Sequence, residues 1–489
     1  MSLPEGTPPS TVLPPQKSGA RAALEYTGIP PSWFEKRPRL PSRNWLIFIG
    51  VTSTVIGFYV HDRRECKRIR EEYASRVRHL ADEPLHSLEF ARKVTVYGAK
   101  WPGDDDWDRS TRYFRKYVKP IFVAAAVDFE IIAGKRHGDL ATRIAEDIKQ
   151  QRRISLGLES PNVPGVPLPT QQTPEEKQRR LFAGGTVLVG RPAFKEYMAG
   201  LRRGWTEGLQ KVDREESLAQ ELESDGRFDE PEETQNHIHS EDVDNEPLPT
   251  PSRLPPSRPG VFSPLSMRAP PPRSPIPEKT QSTGADVPPP ARIPPQPPLL
   301  LVPFVNHIGL SQIPYMIIDF FNERAQVKAG AEAAYRLVMN ETRPFIGPPS
   351  EPSQAESSSV SASPSMTNTD LAFDTKAELF YKSSTSKLPS ETQKVRDDYY
   401  KSLPAKLDTA RQLARREREP TSDEVAAPPP TEVELRAERL NKELRWRGDE
   451  KGWDIIRPDA PVDWDSRMEG ALSVFVDPQD GHSNEVLKE

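Results

Sequence analysis

The residues best placed by type to do chemistry are four aspartates within five positions: Asp104, Asp105, Asp106 and Asp108. Carboxylates packed this closely behind a predicted strand can hold Mg²⁺ or orient a phosphate-bearing substrate. Acids at a helix start also serve as caps and dipole partners, and that is the plainer reading of these four. His237 and His239 form a His-x-His pair, but zinc needs further ligands and none lies near them. In "GGTVLVG" (184–190) glycines flank a predicted strand. Neither G-x-x-x-x-G-K-[ST] nor G-x-G-x-x-G occurs, so a nucleotide has no phosphate cradle. There is no G-x-S-x-G elbow, and Cys66 has no evident base partner. Arg202 and Arg203 in "RRGW" (202–205) are too few to make a nucleic-acid surface. No catalytic residue, cofactor or metal is assigned.

Composition narrows the class further. The chain has 489 residues and 54 prolines, about twice the usual proline share. Mean hydropathy is −0.68, so long segments are expected to stay solvated rather than fold. Net charge is −5 and the isoelectric point is near 6.0, which gives no general attraction for nucleic acid. The single cysteine excludes an internal disulfide framework and a cysteine-rich zinc site, but not an oxidising compartment.

One apolar run stands out, from Trp45 to Val60, with no charged side chain inside it. Sixteen residues of helix span about 24 Å, a little under a typical hydrocarbon core of about 30 Å. Trp45 and Tyr59 can sit at the two headgroup levels, while Arg43, Arg63 and Arg64 snorkel outward. A secretory signal would begin near residue 1 with basic residues, whereas a Pro-rich tail precedes this run. A buried core helix would carry a polar face. Here the polar side chains are only Thr52, Ser53 and Thr54, which can bond back to the backbone. The run is predicted to be a membrane anchor with ends at Trp45 and Val60. Both flanks are basic, so charge alone does not set its orientation. Glu5, Glu25 and Glu35 and the prolines also argue against an N-terminal mitochondrial presequence.

Beyond the anchor, Ile69, Tyr73, Val77 and Leu80 recur at helical spacing. They predict a charged helix with a narrow apolar stripe, either solvated or laid against anionic headgroups. Alternation predicts strands at 93–97 and 127–132, with a helix at 107–126 between them that Pro120 kinks or restarts. A helix capped by Asp139 follows, and then a strand at 186–189. The next helix has Pro192 in its first turn, where a missing N–H costs nothing. Its Phe194, Met198 and Leu201 should face the sheet, with Tyr197 and Trp205 on the same broad side. Lys195, Arg202 and Arg203 should point outward, and Arg202 and Arg203 form a candidate assembly surface. This β-α-β-α-β-α order predicts an α/β fold, a mostly parallel sheet with covering helices.

The expected plan starts with a Pro-rich tail at 1–44, the membrane helix at 45–60 and a basic juxtamembrane helix at 61–90. An α/β domain at 91–210 is followed by an acidic and then Pro-rich disordered linker at 211–298. The α/β domain resumes at 299–345, a Ser/Pro-rich linker occupies 346–388, and charged helices with a closing strand fill 389–489.

Three stretches together resemble a known family. They are "GIPPSWF…RPRLPSRNWLIF" (28–48), "VKPIFVAAAVDFEIIAGKRHGDLATRIAEDI" (118–148) and "GGTVLVGRPAFKEYMAGLRRGW" (184–205). They are similar to the large scaffold subunit of the fungal mitochondrial inner-membrane carrier translocase, a twin-pore complex. The likeness is close in the N-terminal region, loose at 299–340, and only general in the last third. It implies an N-terminus in the matrix, one span, and a large domain in the intermembrane space. It also implies a scaffold beside a channel-forming subunit and small intermembrane-space chaperones; with the missing motifs and the net charge, the expectation is a non-enzymatic protein in contact with inner-membrane lipid and not nucleic acid. The alternative from the residues alone is a membrane-tethered α/β enzyme acting on a phosphate-bearing or lipid substrate, with Asp104, Asp105 and Asp106 in its site.

Overall fold

The computed structural model describes residues 42–84, 91–159, 174–211, 213–229, 288–348 and 369–478. The N-terminal tail through residue 41, His237 and His239, and the Pro-rich tract up to residue 287 lie outside the described residues. The chain divides into two units, Met1–Arg63 and Arg64–Glu489.

Helix α1 (Arg43–Ala81) carries the apolar run and the charged segment behind it as one element. Strand β1 (Lys93–Gly98) follows, then α2 (Arg109–Tyr113), a π-helical turn at Phe114–Val118, and α3 (Lys119–Ala124). Pro120 explains the break. It has no N–H, and its ring would press on the carbonyl four residues back, so the preceding turn widens and helix restarts with proline in its first turn. Next come β2 (Asp128–Ala133), α4 (Asp139–Ser155), α5 (Pro174–Gly184), β3 (Thr186–Val189) and α6 (Gly190–Thr206). The chain continues through α7 (Arg214–Glu223), β4 (Leu299–Val302), α8 (Ile313–Phe321), α9 (Glu323–Met339) and β5 (Thr342–Pro344). It closes with α10 (Glu378–Thr385), α11 (Leu388–Arg415), α12 (Glu432–Ile456) and β6 (Ser473–Phe475).

The strands form one six-stranded sheet in the order β2-β1-β3-β4-β6-β5. Every neighbouring pair is parallel except β5 with β6. Strand residues alternate between faces, which splits the core in two. Val94, Val96, Val187, Leu300 and Val302 face Phe114, Ile121, Phe122, Ala334 and Leu337. Leu188, Leu299 and Val474 face Leu140, Ile144, Phe194 and Met198 on the other side. The apolar stripe behind the anchor joins the first of these layers through Tyr73 and Val77. Tyr73 also donates to Glu332 Oε1 at 3.3 Å and meets Tyr335 edge-on. That stretch is therefore neither solvated nor turned to lipid on its apolar side.

On the second face α4 and α6 approach closely at Gly200 and Gly204. A Cβ on Gly200 would lie 2.9 Å from the Ala141 carbonyl, and one on Gly204 would lie 2.8 Å from Ile148 Cβ. The helix expected to start with Asp139 as its cap begins instead with Gly138 in the cap position, at φ 82°. Asp139 turns back to accept the Arg136 N–H at 2.8 Å.

Two boundaries in the expected plan are corrected. The linker drawn at 211–298 contains α7, capped where Asp213 Oδ1 accepts the Glu215 N–H at 3.0 Å. Leu218 and Phe228 are buried there. The acids of this segment find distant cations: Arg439 pairs with Asp225, and Arg447 grips Glu221 with two bonds of 2.8 Å. At the far end of the same interval Ile293 is buried, and Gln296 N–H donates to the Ala471 carbonyl at 2.8 Å. The linker drawn at 346–388 likewise contains α10, whose Tyr381 is fully buried. Asp370 anchors its approach, accepting from Arg343 Nη1 at 2.7 Å and from the Ile346 N–H at 2.8 Å.

Candidate anchor and assembly surfaces

Among the described residues, α1 is the one helix long and apolar enough to cross a membrane, judged by length and composition. Within the first unit, Trp45, Phe48, Val51, Ile56 and Phe58 are all exposed. Thr54 Oγ1 donates to the Gly50 carbonyl at 2.8 Å, so this hydroxyl carries its own partner into an apolar medium. At the other end the Arg63 guanidinium lies 4.9 Å from the Tyr59 ring centre, a cation–π contact suited to the headgroup level.

Helix α6 departs from its expected two-faced character, because every residue from Gly190 to Leu201 is buried. Phe194, Met198 and Leu201 do face the core, as their spacing predicts. Lys195 is corrected: it is 1% exposed, not outward. Its Nζ lies 2.6 Å from Glu378 Oε1 and donates to the Arg457 carbonyl at 3.0 Å. Arg191 reaches the same carboxylate at 2.8 Å and donates to the carbonyls of Leu371 and Phe373. Glu378 Oε2 accepts the Asp459 N–H at 3.0 Å. Burial raises the Glu378 carboxyl, but the bonds from Lys195 and Arg191 outweigh it and hold the group below its ordinary value. One carboxylate thus ties together three stretches far apart in sequence.

Arg202 does point outward, yet it pairs with Asp463 at 2.7 Å. Arg203 pairs with Glu207 at 3.1 Å, and Lys149 joins that carboxylate. Both arginines are therefore engaged within the chain. The Arg203 pair follows from i,i+4 spacing, but nothing local signals the Arg202 pair, since Asp463 is 261 residues away.

Glu196, fully buried one position beyond Lys195, takes over the capping of α4. Its Oε2 accepts the Leu140 N–H at 3.1 Å. Burial pushes this carboxyl up to about 8, against the pull of the nearby backbone N–H groups. An acid with a raised folded pKa holds its proton more tightly folded than unfolded. Its contribution is thus lost as pH climbs from the ordinary 4.5 to about 8, at about 1.4 kcal/mol for each pH unit crossed. Glu196→Gln keeps an acceptor for Leu140 but cannot ionise. Melting at about pH 5 and about pH 9 should show a loss in the wild type that the glutamine variant lacks. Equal losses in both proteins would remove Glu196 as the source.

The aspartate loop is self-satisfied. Asp104 Oδ2 accepts from Asn306 at 2.6 Å and its Oδ1 accepts the Asp106 N–H at 3.0 Å. Arg109 reaches Asp106 at 3.1 Å, and Arg112 reaches Asp108 at 2.8 Å. In an open parallel sheet, ligands lodge beyond the strand ends where the order reverses, which here lies between β1 and β3. Trp101, 2% exposed, occupies the loop after β1. Its ring meets Phe304 edge-on at 5.4 Å and Tyr381 at 5.3 Å. Aromatic side chains fill that crevice.

An open polar hollow of about 510 Å³ lies instead between α7, α11 and α12. Its charges are matched internally: Arg396 donates to Glu443 Oε2 at 2.8 Å, and Tyr400 donates to the same carboxylate.

Known proteins resemble this chain along much of its length. The family model described as inner membrane protein import complex subunit Tim54 matches residues 22–364. The chain is 39% identical over 473 residues to the mitochondrial import inner membrane translocase subunit TIM54 of Cryptococcus neoformans, covering 96% of each. The subunit so named in Candida albicans is 29% identical over 373 residues, 69% of this chain and 88% of its own length. That of Schizosaccharomyces pombe is 35% identical over 174 residues, 35% of this chain and 47% of its own.

Proposed function

The chain belongs to the Tim54 family of inner membrane protein import complex subunits, and from that premise we propose that it is a non-enzymatic scaffold that supports insertion of multi-spanning carrier proteins. It is a subunit of a mitochondrial inner-membrane import translocase and works in a complex with other import components. In this reading α1 crosses the inner membrane once, between Trp45 and Val60. The N-terminus lies in the matrix and the α/β domain in the intermembrane space, beside a channel-forming subunit and small chaperones. The observation that carries the scaffold reading is the Trp101 plug: the crevice where such sheets take ligands is occupied by the protein's own rings. The enzyme reading loses its site as well, because Asp104 and Asp106 are held by Asn306 and Arg109.

The test uses full-length protein in mitochondria. Carbonate extraction should leave it in the pellet, and protease should reach the domain only after the outer membrane is ruptured. Purification from digitonin extracts should recover the channel subunit. Arg202→Glu with Arg203→Glu should cost about 1 kcal/mol or less in stability, since both ion pairs are at least partly solvated. If this surface serves assembly, the folded double variant recovers less of the complex. Full recovery would remove these arginines from the interface, and extraction by carbonate would overturn the anchor.

A further inference from the structure

Helix α8 differs from every other labelled helix of the domain unit: its nine residues include none that is buried. Ile313, Met316, Ile317 and Phe320, spaced i, i+3, i+4 and i+7, are between 43% and 53% exposed, and Leu310 just before them is 86% exposed. Tyr315 and Ile318 lie off this stripe, toward the other side of the helix, and are exposed as well. Asp319 is the one charged residue in the helix. A soluble domain rarely leaves so continuous an apolar strip uncovered unless it serves contact.

The opposite side is fastened down. Gln312 is buried, donates to the Phe380 carbonyl, and accepts the Ile308 N–H at 3.1 Å. Two turns on, Asp319 lies 3.2 Å from His307 Nε2. The His307 ring stacks on Tyr315 at 5.5 Å and abuts Phe380 at 4.7 Å. The polar positions thus fix the rotation of the helix and turn its apolar stripe outward.

We propose that α8, with Leu310, is a second membrane contact of this protein: a helix lying in the plane of the bilayer interface with its apolar stripe among the upper acyl chains. Length sets the orientation. Nine residues of helix extend about 14 Å, less than half a hydrocarbon core, so the segment lies along the membrane and does not cross it. Position favours lipid as the occupant. Asn322 leads α8 directly into Glu323, which Lys116 holds at 2.6 Å and Tyr117 at 3.2 Å. Tyr117 packs with Val327 and Cys66, and Cys66 is six positions after Val60 in the chain. The end of α8 is therefore built into the part of the domain that follows the anchor most closely in sequence. Charge agrees, because Arg115, Lys116, Arg324 and Lys328 are exposed around that end, as anionic headgroups require.

The inference rests on the anchor reading of 45–60, and its test separates the two. Full-length protein carrying Cys66→Ser and one new cysteine is labelled with an environment-sensitive fluorophore. It is then reconstituted in phosphatidylcholine–cardiolipin vesicles whose lipids bear a nitroxide high on the acyl chain. A label at Met316→Cys should be quenched about threefold more than one at Gln393→Cys on exposed α11. Adding Ile317→Asp and Phe320→Asp should abolish that excess while leaving quenching at Ile49→Cys unchanged. Quenching at Ile49→Cys without any at Met316→Cys would overturn the inference and keep the anchor. Loss of both signals would overturn the anchor itself. A Met316→Cys label unquenched in vesicles but shielded in the digitonin complex would make the strip a protein-docking face, and would equally overturn the proposal.

Discussion

Glu378→Ala should collapse the α/β domain, at a cost on the order of 3–5 kcal/mol, because it strands two buried cations. Arg191 and Lys195 converge on this one carboxylate from α6, and both are buried. Removing it leaves each with carbonyl partners only, from Leu371, Phe373 and Arg457. Those carbonyls solvate a charge without neutralising it. Thermal and urea melts of the full-length protein in detergent would read the loss. A triple variant, Arg191→Met with Lys195→Met and Glu378→Leu, should recover most of the stability, since an apolar cluster of similar volume carries no stranded charge. A cost below about 1 kcal/mol would mean that the cluster behaves like a solvated surface pair and does not hold the three stretches together.

Trp101→Ala should be nearly as damaging, at about 3–5 kcal/mol, and should add a property the wild type lacks. The ring is wedged between Phe304 and Tyr381, with Tyr113 against Phe304 on the far side. These neighbours come from α2, the β4–α8 connection and α10, so the void would sit among packed elements and could not fully close. An apolar cavity of that kind stays dry and accepts a small aromatic guest. Added indole should therefore raise the melting temperature of Trp101→Ala and leave the wild type unmoved. A variant that loses stability but ignores indole would mean that the walls close in and that the crevice exists only while Trp101 holds it open.

Local pattern carries far in this sequence. The apolar run at 45–60, the alternating strands at 93–97 and 127–132 and the restart at Pro120 are settled by neighbours within a turn or two, and composition is enough to see them. Local pattern fails where partners are remote. Lys195 looks like an outward cation on an amphipathic helix until Glu378, 183 positions later by numbering, arrives to bury it. The acids of α7 and the turn after it look like a solvated run, yet Asp225 and Glu221 meet Arg439 and Arg447 across separations of 214 and 226 residues. The glycines of "GLRRG" (200–204) belong to a stretch that carries the family likeness, but their use, the near-contact of α4 with α6, depends on which helix lies opposite. No window of sequence contains that information. The exposed strip of α8 is equally hidden: "IPYMIIDFF" (313–321) reads as core, and only the placement of Gln312 and Asp319 shows that it faces out.

Strand β6 is drawn from the last tenth of the chain, yet it does not lie at the rim of the sheet. It sits inside, parallel to β4 on one side and antiparallel to β5 on the other, and its Phe475 reaches the core of the first layer. For a chain delivered from its N-terminus, this makes completion an event in time. While residues 473–475 are still on the far side of a translocation pore, the β4 edge is unpaired and β5 has no neighbour to join. Closure of so distant a pairing is slow, and an open edge is a site for capture by other chains. The sheet becomes whole only once residues 473–475 have emerged and paired with β4 and β5, so its closure waits on a strand far along the chain from the other parallel strands.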